Sequence, residues 1–365
     1  LVQARGYELE FSKEEIHKME LHLERCDKLL DAAVSKKNKA DDKKSSEIDQ
    51  IMAYSASVRK GKVIGSRNVS STFEREIRDD VESFDEVMKL IEFTRAFIEH
   101  WDKLDKIQYR GEDTWEDPYS PEFLVARRFE RLGIKQHLPY FAVLQVSKWQ
   151  GQEIYNFIWL IECFVMRTMV ARNVSVGGEM YGLMNFAKDI YLKKNSEEII
   201  KNMREHLIEK DTNKNPNGWN ALSETHLKDK TAYVLLHATD PLMCRQDPGP
   251  STRDLHVAGL LPRFDYSNRG DFVYGERERL QPGYTSTKAG NWFLVRGTKS
   301  DINAYKNSPK DEKIAQYKEI GVSSTAEALD KIEDSWGPAN IDDRTENLIK
   351  LCKIFYPEDY VIKKN

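Results

Sequence analysis

The chain has 365 residues, 40% hydrophobic and 32% charged, with a net charge of −4. That length allows two or three domains, and that balance suits a soluble, largely helical protein but excludes a uniformly basic nucleic-acid-coating one. The apolar runs fall short of the roughly 20 residues of a membrane span. Four scattered cysteines (Cys26, Cys163, Cys244, Cys352) without a CxxC pair point to reduced thiols and a cytoplasmic protein rather than a zinc knuckle.

Residues 12 to 34 read as an amphipathic helix. Ser12 and Glu15 form a capping box, and Ile16, Met19, Leu23, Cys26 and Leu30 line one face. His17 and His22 fall off that stripe and are expected in solvent. The lysine-rich stretch 35–48 has no apolar face and reads as a loop or an exposed helical extension. Residues 59–70 are basic and glycine-containing and read as a connection, with no P-loop pattern. Residues 72–105 predict one or two helices with Phe84, Val87, Leu90, Ile91, Phe97, Ile98 and Trp101 buried. The acidic Glu112, Asp113, Glu116 and Asp117 lie in a proline-broken stretch and read as a solvated loop.

Further helices are expected from Leu138, over Glu153–Ala171 (the most apolar), over Met180–Lys194 and over Glu197–Lys210. Residues 211–218 look like a polar linker, and Asn220–His237 like one more helix. His226 and His237 on that helix are read as surface or packing residues. A second proline-rich linker covers 240–252. After it come a helix over Lys310–Ile320 and a last one over Ile341–Tyr356, with Ile341, Leu348, Leu351, Cys352 and Phe355 facing inward.

Residues 253–310 read as strand, long loop, strand and short helix. They carry ten Lys/Arg against six Asp/Glu, compatible with local phosphate binding. Asp254 and His256 sit on the first strand, Asn291 opens the second, and Asn303 and Asn307 lie on the helix. Oxygen ligands such as Asp and Asn suit a hard divalent cation, and a neutral histidine suits proton abstraction from water.

This part of the chain resembles the HNH (ββα-metal) nuclease domain of GmrSD-type, modification-dependent restriction endonucleases. The matching blocks are Val257 to Pro262, Gly290-Asn291-Trp292-Phe293-Leu294-Val295, Ile302 to Pro309, Tyr317 with Trp336, and Ile341-Asp342-Asp343-Arg344 with Leu348. Phe164 to Arg167 and Leu183 to Phe186 are similar to the helical region that precedes this domain, so the likeness covers roughly residues 140 to 357. The family's N-terminal nucleotide-hydrolysing domain is not matched, so the chain is expected to be a C-terminal fragment or a shortened relative. The resemblance implies a metal-dependent DNA endonuclease of antiviral restriction-modification systems. It also implies Mg²⁺ or Mn²⁺ as cofactor, DNA as partner, and a nucleotide-hydrolysing domain or subunit as a further partner. By the same resemblance Asn291 orients the catalytic base or pins the loop, and Asn307 holds the metal; Asp254 is a further candidate metal ligand on the first strand, and the positive charges of Arg263, Lys299 and Lys306 make them candidate DNA-phosphate contacts.

One departure stands at Ala258-Gly259, where the family has its metal-side and general-base residues. Neither side chain can bind a metal or accept a proton. Three readings follow: an enzyme inactivated at this position, a site in which His256 or Asp254 has taken over, or a pseudo-nuclease that binds DNA or a partner without cleaving. Moving the base two residues along a strand shifts it by about 6.6 Å, against a catalytic tolerance of roughly 1 Å. A purely helical scaffold would leave the Gly290 and Ile302 blocks unexplained. The expected architecture is mostly α: an N-terminal helical region (1–120), a helical scaffold (121–245) and a small α+β HNH domain (246–365).

Overall fold

The structure, a computed structural model, describes residues 8–35, 41–79, 81–110, 125, 128–129, 132–134, 136–147, 149–171, 178, 180, 182–239, 255–259, 288–296, 308, 310–321, 323–330 and 338–361. Among these, helices dominate and one two-stranded sheet is present. The helices are α1 (Lys13–Ser35), α2 (Asp41–Lys60), α3 (Val69–Asp79), α4 (Phe84–Arg110), α5 (Leu138–Val146), α6 (Gln152–Val165), α7 (Met184–Tyr191) and α8 (Ser196–Lys214), followed by α9 (Asp229–Thr239), α10 (Lys310–Ile320), α11 (Ser323–Asp330) and α12 (Pro338–Phe355). The strands are β1 (Leu255–Gly259) and β2 (Trp292–Arg296). The chain forms two compact units interleaved in sequence. One holds residues 1–159 and 177–204, the other 160–176 and 205–365.

The first unit holds helices and connecting turns, with no strand among its described residues. The expected capping box starts α1: the Glu15 carboxylate accepts from the Ser12 amide at 2.8 Å, and the Ser12 hydroxyl accepts from the Glu15 amide at 3.3 Å. Ile16, Met19, Cys26 and Leu30 are buried, as the stripe requires, and α1 packs on α4, with Cys26 Sγ 4.0 Å from the Ile91 carbonyl. Burial pushes the Cys26 thiol up to about 11, so it packs as an apolar group. His17 is exposed, but His22 is half-buried, and its loss of water lowers its pKa. The segment from Asp41 continues as helix α2, so its polar start is a helical extension.

Arg59 ends α2 and is buried rather than part of an open connection. Its guanidinium donates to both Glu76 oxygens (3.1 and 2.8 Å), to the Ser55 hydroxyl (2.7 Å) and to Thr94 (3.3 Å). A buried charge persists only with such partners. The basic look of 59–70 concealed this because Glu76 lies a helix away in sequence. The turn after α2 needs Gly61 at φ +68, and a Cβ there would come within 2.7 Å of the Asn185 side chain.

In the second unit, Phe164 and Val165 end α6 and a π-helical turn, Met166–Ala171, continues it. Together, Gln152–Ala171 is long and apolar enough to cross a membrane by length and composition, and most of its apolar window is buried inside the protein. Asn156, Glu162 and Arg167 are its polar positions. Arg167 is buried on the π turn and pairs with Asp211 through Nε at 2.6 Å. Residues 211–214 thus extend α8, and the linker expected over 211–218 is replaced by a buried junction that includes Asn215, Gly218 and Trp219. The helix expected over 220–237 is likewise divided. A 3₁₀ turn (Gly218–Ser223) and an irregular stretch precede α9, whose Tyr233, Val234, Leu235 and Leu236 are buried as expected.

The strands pair antiparallel in the register Leu255–Arg296, His256–Val295, Val257–Leu294, Ala258–Phe293 and Gly259–Trp292. Phe293 and Val295 share a buried cluster with Tyr317 of α10, Leu329 of α11 and Ile341 of α12. Helix α9 also packs against both strands, so the small sheet is enclosed by helices of its own unit. Val295 makes a further isolated bridge to Gly321.

Candidate functional site

The Ala289–Gly290–Asn291 turn is the best-defined part of the expected site. It is a 3₁₀ turn leading directly into β2, and all three residues are buried. Helix α12 packs against it. The Gly290 amide donates to the Thr345 hydroxyl at 3.0 Å, and that hydroxyl donates back to the Ile341 carbonyl at 2.7 Å. Arg344 Nη1 donates to the Gly290 carbonyl at 2.8 Å and also to the Trp292 carbonyl. Its guanidinium lies over the Phe293 ring, 3.8 Å from the centroid. Lys288, just before the turn, pairs with Asp342 at 2.8 Å.

These contacts explain the local sequence. A Cβ at position 290 would lie 2.0 Å from the Ile341 carbonyl oxygen and 2.8 Å from Thr345 Oγ1, so only glycine lets helix and turn approach this closely. Lost hydration lowers the Arg344 pKa to about 9, which leaves it charged at neutral pH. Burial also pushes the Tyr317 hydroxyl up to about 12, so it stays protonated in the core cluster.

Register decides which expected residues meet. Gly259 pairs with Trp292, so Ala258-Gly259 and the buried Asn291 occupy the same end of the sheet. His256 is registered with Val295 and Ala258 with Phe293. Of the remaining expected residues, Asp254, Arg263, Lys299, Asn303, Lys306 and Asn307 lie outside the described residues, as do Glu112, Asp113, Glu116, Asp117 and the short helix after β2. Among the described residues no three His, Cys, Asp or Glu side chains stand together as a metal-binding group. His226 is exposed and His237 is buried and stacked on Tyr233 at 5.6 Å, the surface and packing roles expected of them.

The sequence reading missed roles for Arg344 and Thr345. Arg344 was visible as the end of the Ile341-Asp342-Asp343-Arg344 block, but its carbonyl partners lie more than fifty residues away. Thr345 carried no signal, since a threonine mid-helix bonding its own i−4 carbonyl is ordinary. No protein-family model matches the chain, and no curated protein matches it.

Proposed function

We propose that the second unit carries a ββα-metal nuclease domain acting on DNA, in the manner of the HNH domain of modification-dependent restriction endonucleases. The observation that supports this reading best is the meeting of two separate sequence blocks. The Gly290–Val295 block and the Ile341–Arg344 block, two of those that resemble the family, are held together by Arg344 and Thr345 at the strand end where Gly259 pairs with Trp292. Helix α10 packs on β2, and the short helix expected to carry Asn303 and Asn307 lies outside the described residues.

In this reading Asn291, fixed by the turn and the helix behind it, orients the group that accepts the proton from the attacking water. Asp254 and Asn307 hold Mg²⁺ or Mn²⁺, which supplies stabilisation of the leaving oxygen when bound. Arg263, Lys299 and Lys306 meet the phosphate backbone. The reading places the protein in restriction of foreign or modified DNA, working with a nucleotide-hydrolysing domain or subunit, in the cytoplasm.

A second reading is favoured by Ala258-Gly259. With no acid, base or ligand at either position, the domain keeps its fold and binds DNA or a partner without cutting it. Plasmid cleavage with Mg²⁺ or Mn²⁺ separates the two, using the chain beside Ala258→His and Gly259→His. Cleavage that EDTA abolishes, by any of the three, supports the nuclease. DNA binding without cleavage by all three supports the binding module.

A further inference from the structure

Helix α12 is held at both ends by different devices. Its first turns clamp the Asn291 turn through Arg344, Thr345 and Asp342. Its far end is moored on Trp219, whose indole N–H donates to the Tyr356 carbonyl at 2.8 Å, a carbonyl left open by the end of the helix. Lys353 adds a bond to the Asn220 side chain at 2.9 Å. Arg167 sits 5.8 Å from the ring centroids of both Trp219 and Tyr360, so the mooring is built around one buried cation.

This mooring is not fully satisfied. Arg167 Nη1 is buried and makes no hydrogen bond among the described residues. Tyr360 stands at φ +50, a left-handed conformation that a bulky residue adopts only under constraint. The Glu358 carboxylate, 57% exposed, waits 3.9 Å from Nη1, in charge range but beyond a hydrogen bond. A buried donor without an acceptor costs about 1–3 kcal/mol. Glu358 is the carboxylate placed to serve Nη1.

Between clamp and mooring the helix is stiff. Ile341 to Tyr356 contains neither glycine nor proline, and spans about 22 Å at 1.5 Å per residue. Thr345, Leu348, Ile349 and Cys352 bury one side of it. We infer that α12 is a strut through which the Arg167–Trp219–Tyr360 mooring sets the position of the Asn291 turn. Arg167, Trp219 and Glu358 are then positioning residues for a site at the opposite end of the helix. The inference takes from the functional reading only that Asn291 belongs to a site.

Amide hydrogen exchange on the full chain tests this without DNA, so its result is independent of whether the chain is a nuclease. The reporter is the Gly290 amide, bonded to Thr345, and the internal reference is Val234 to Leu236 in the buried part of α9. Trp219→Phe keeps an aromatic ring but removes the N–H donor and part of the buried indole volume. It should speed Gly290 exchange at least tenfold, with the α9 amides unchanged. Glu358→Ala, at a side chain 57% exposed, should move Gly290 exchange in the same direction by a smaller factor. The inference is overturned if both variants speed only Tyr356 and Tyr360. It is also overturned if Gly290 and α9 speed up together, which is simple loss of stability.

Discussion

Arg344 reaches from α12 to the carbonyl of Gly290 at 2.8 Å, and the same nitrogen serves the Trp292 carbonyl while the guanidinium covers Phe293. One side chain thus fixes both residues flanking Asn291. Lysine has the charge but neither the planar stacking face nor the fork of donors. Arg344→Lys is expected to lower stability by about 2 kcal/mol, the loss of a charge-assisted bond at a half-buried site, read as a lower urea midpoint at unchanged m.

Gly290 tests the closeness of that approach more directly. Alanine there must push its Cβ into the Ile341 carbonyl, 2.0 Å away, so the turn or the helix has to shift. Gly290→Ala should cost about 1–3 kcal/mol, as overpacking does, and should speed exchange of the Asn291 amide. Gly65, where an added Cβ meets nothing within 4 Å, is the control, and Gly65→Ala should be near neutral. Equal effects of the two would contradict the docking of α12 on the turn.

The buried pair of Arg167 and Asp211 predicts a larger loss. Asp211→Ala leaves the guanidinium uncompensated beneath Trp219 and Tyr360. Breaking such a pair from one side costs about 3–5 kcal/mol. The double variant Arg167→Met/Asp211→Ala should recover part of it, because the stranded charge is gone. Thermal unfolding of the three proteins checks the order.

A pH dependence follows from His137 in the first unit. Its ring lies between Phe129 and Phe141, at centroid distances of 4.9 and 5.0 Å, and burial lowers its pKa to about 3. The unfolded value is about 6.5. The neutral ring is therefore favoured by the fold, and its contribution is complete above about 6.5 and is lost as pH falls toward 3. Below pH 6.5 the slope should approach about 1.4 kcal/mol per pH unit from this group. His137→Phe, which cannot titrate, should flatten the urea midpoint between pH 7 and pH 5 relative to the parent. An identical pH profile for both would contradict the assignment.

What could be read from the sequence was local. The Ser12–Glu15 box and the stripes of α1 and α4 follow from helical periodicity, and the structure contains them. The strand–loop–strand reading also finds its counterpart in β1 and β2, although their register, with Gly259 opposite Trp292, spans a gap too long for pattern to fix. Residues 211–218 misled because Asn, Lys, Pro and Gly make a linker by composition. Asp211 and Trp219 instead serve partners at Arg167 and Tyr356, which no local window contains. Thr345 and Gly290 were unreadable as a pair for the same reason. Each is ordinary until α12 docks.

The measurement that bears most directly on the function is metal-dependent cleavage of plasmid DNA by this chain, by Ala258→His and by Gly259→His. Each is assayed with Mg²⁺ or Mn²⁺ and again with EDTA, beside a matched Asn291→Ala version. The account predicts nicking by at least one of the three, abolished by EDTA and reduced at least tenfold by Asn291→Ala, as loss of one positioning hydrogen bond does. Absence of cleavage by all three, with or without DNA binding, would contradict it.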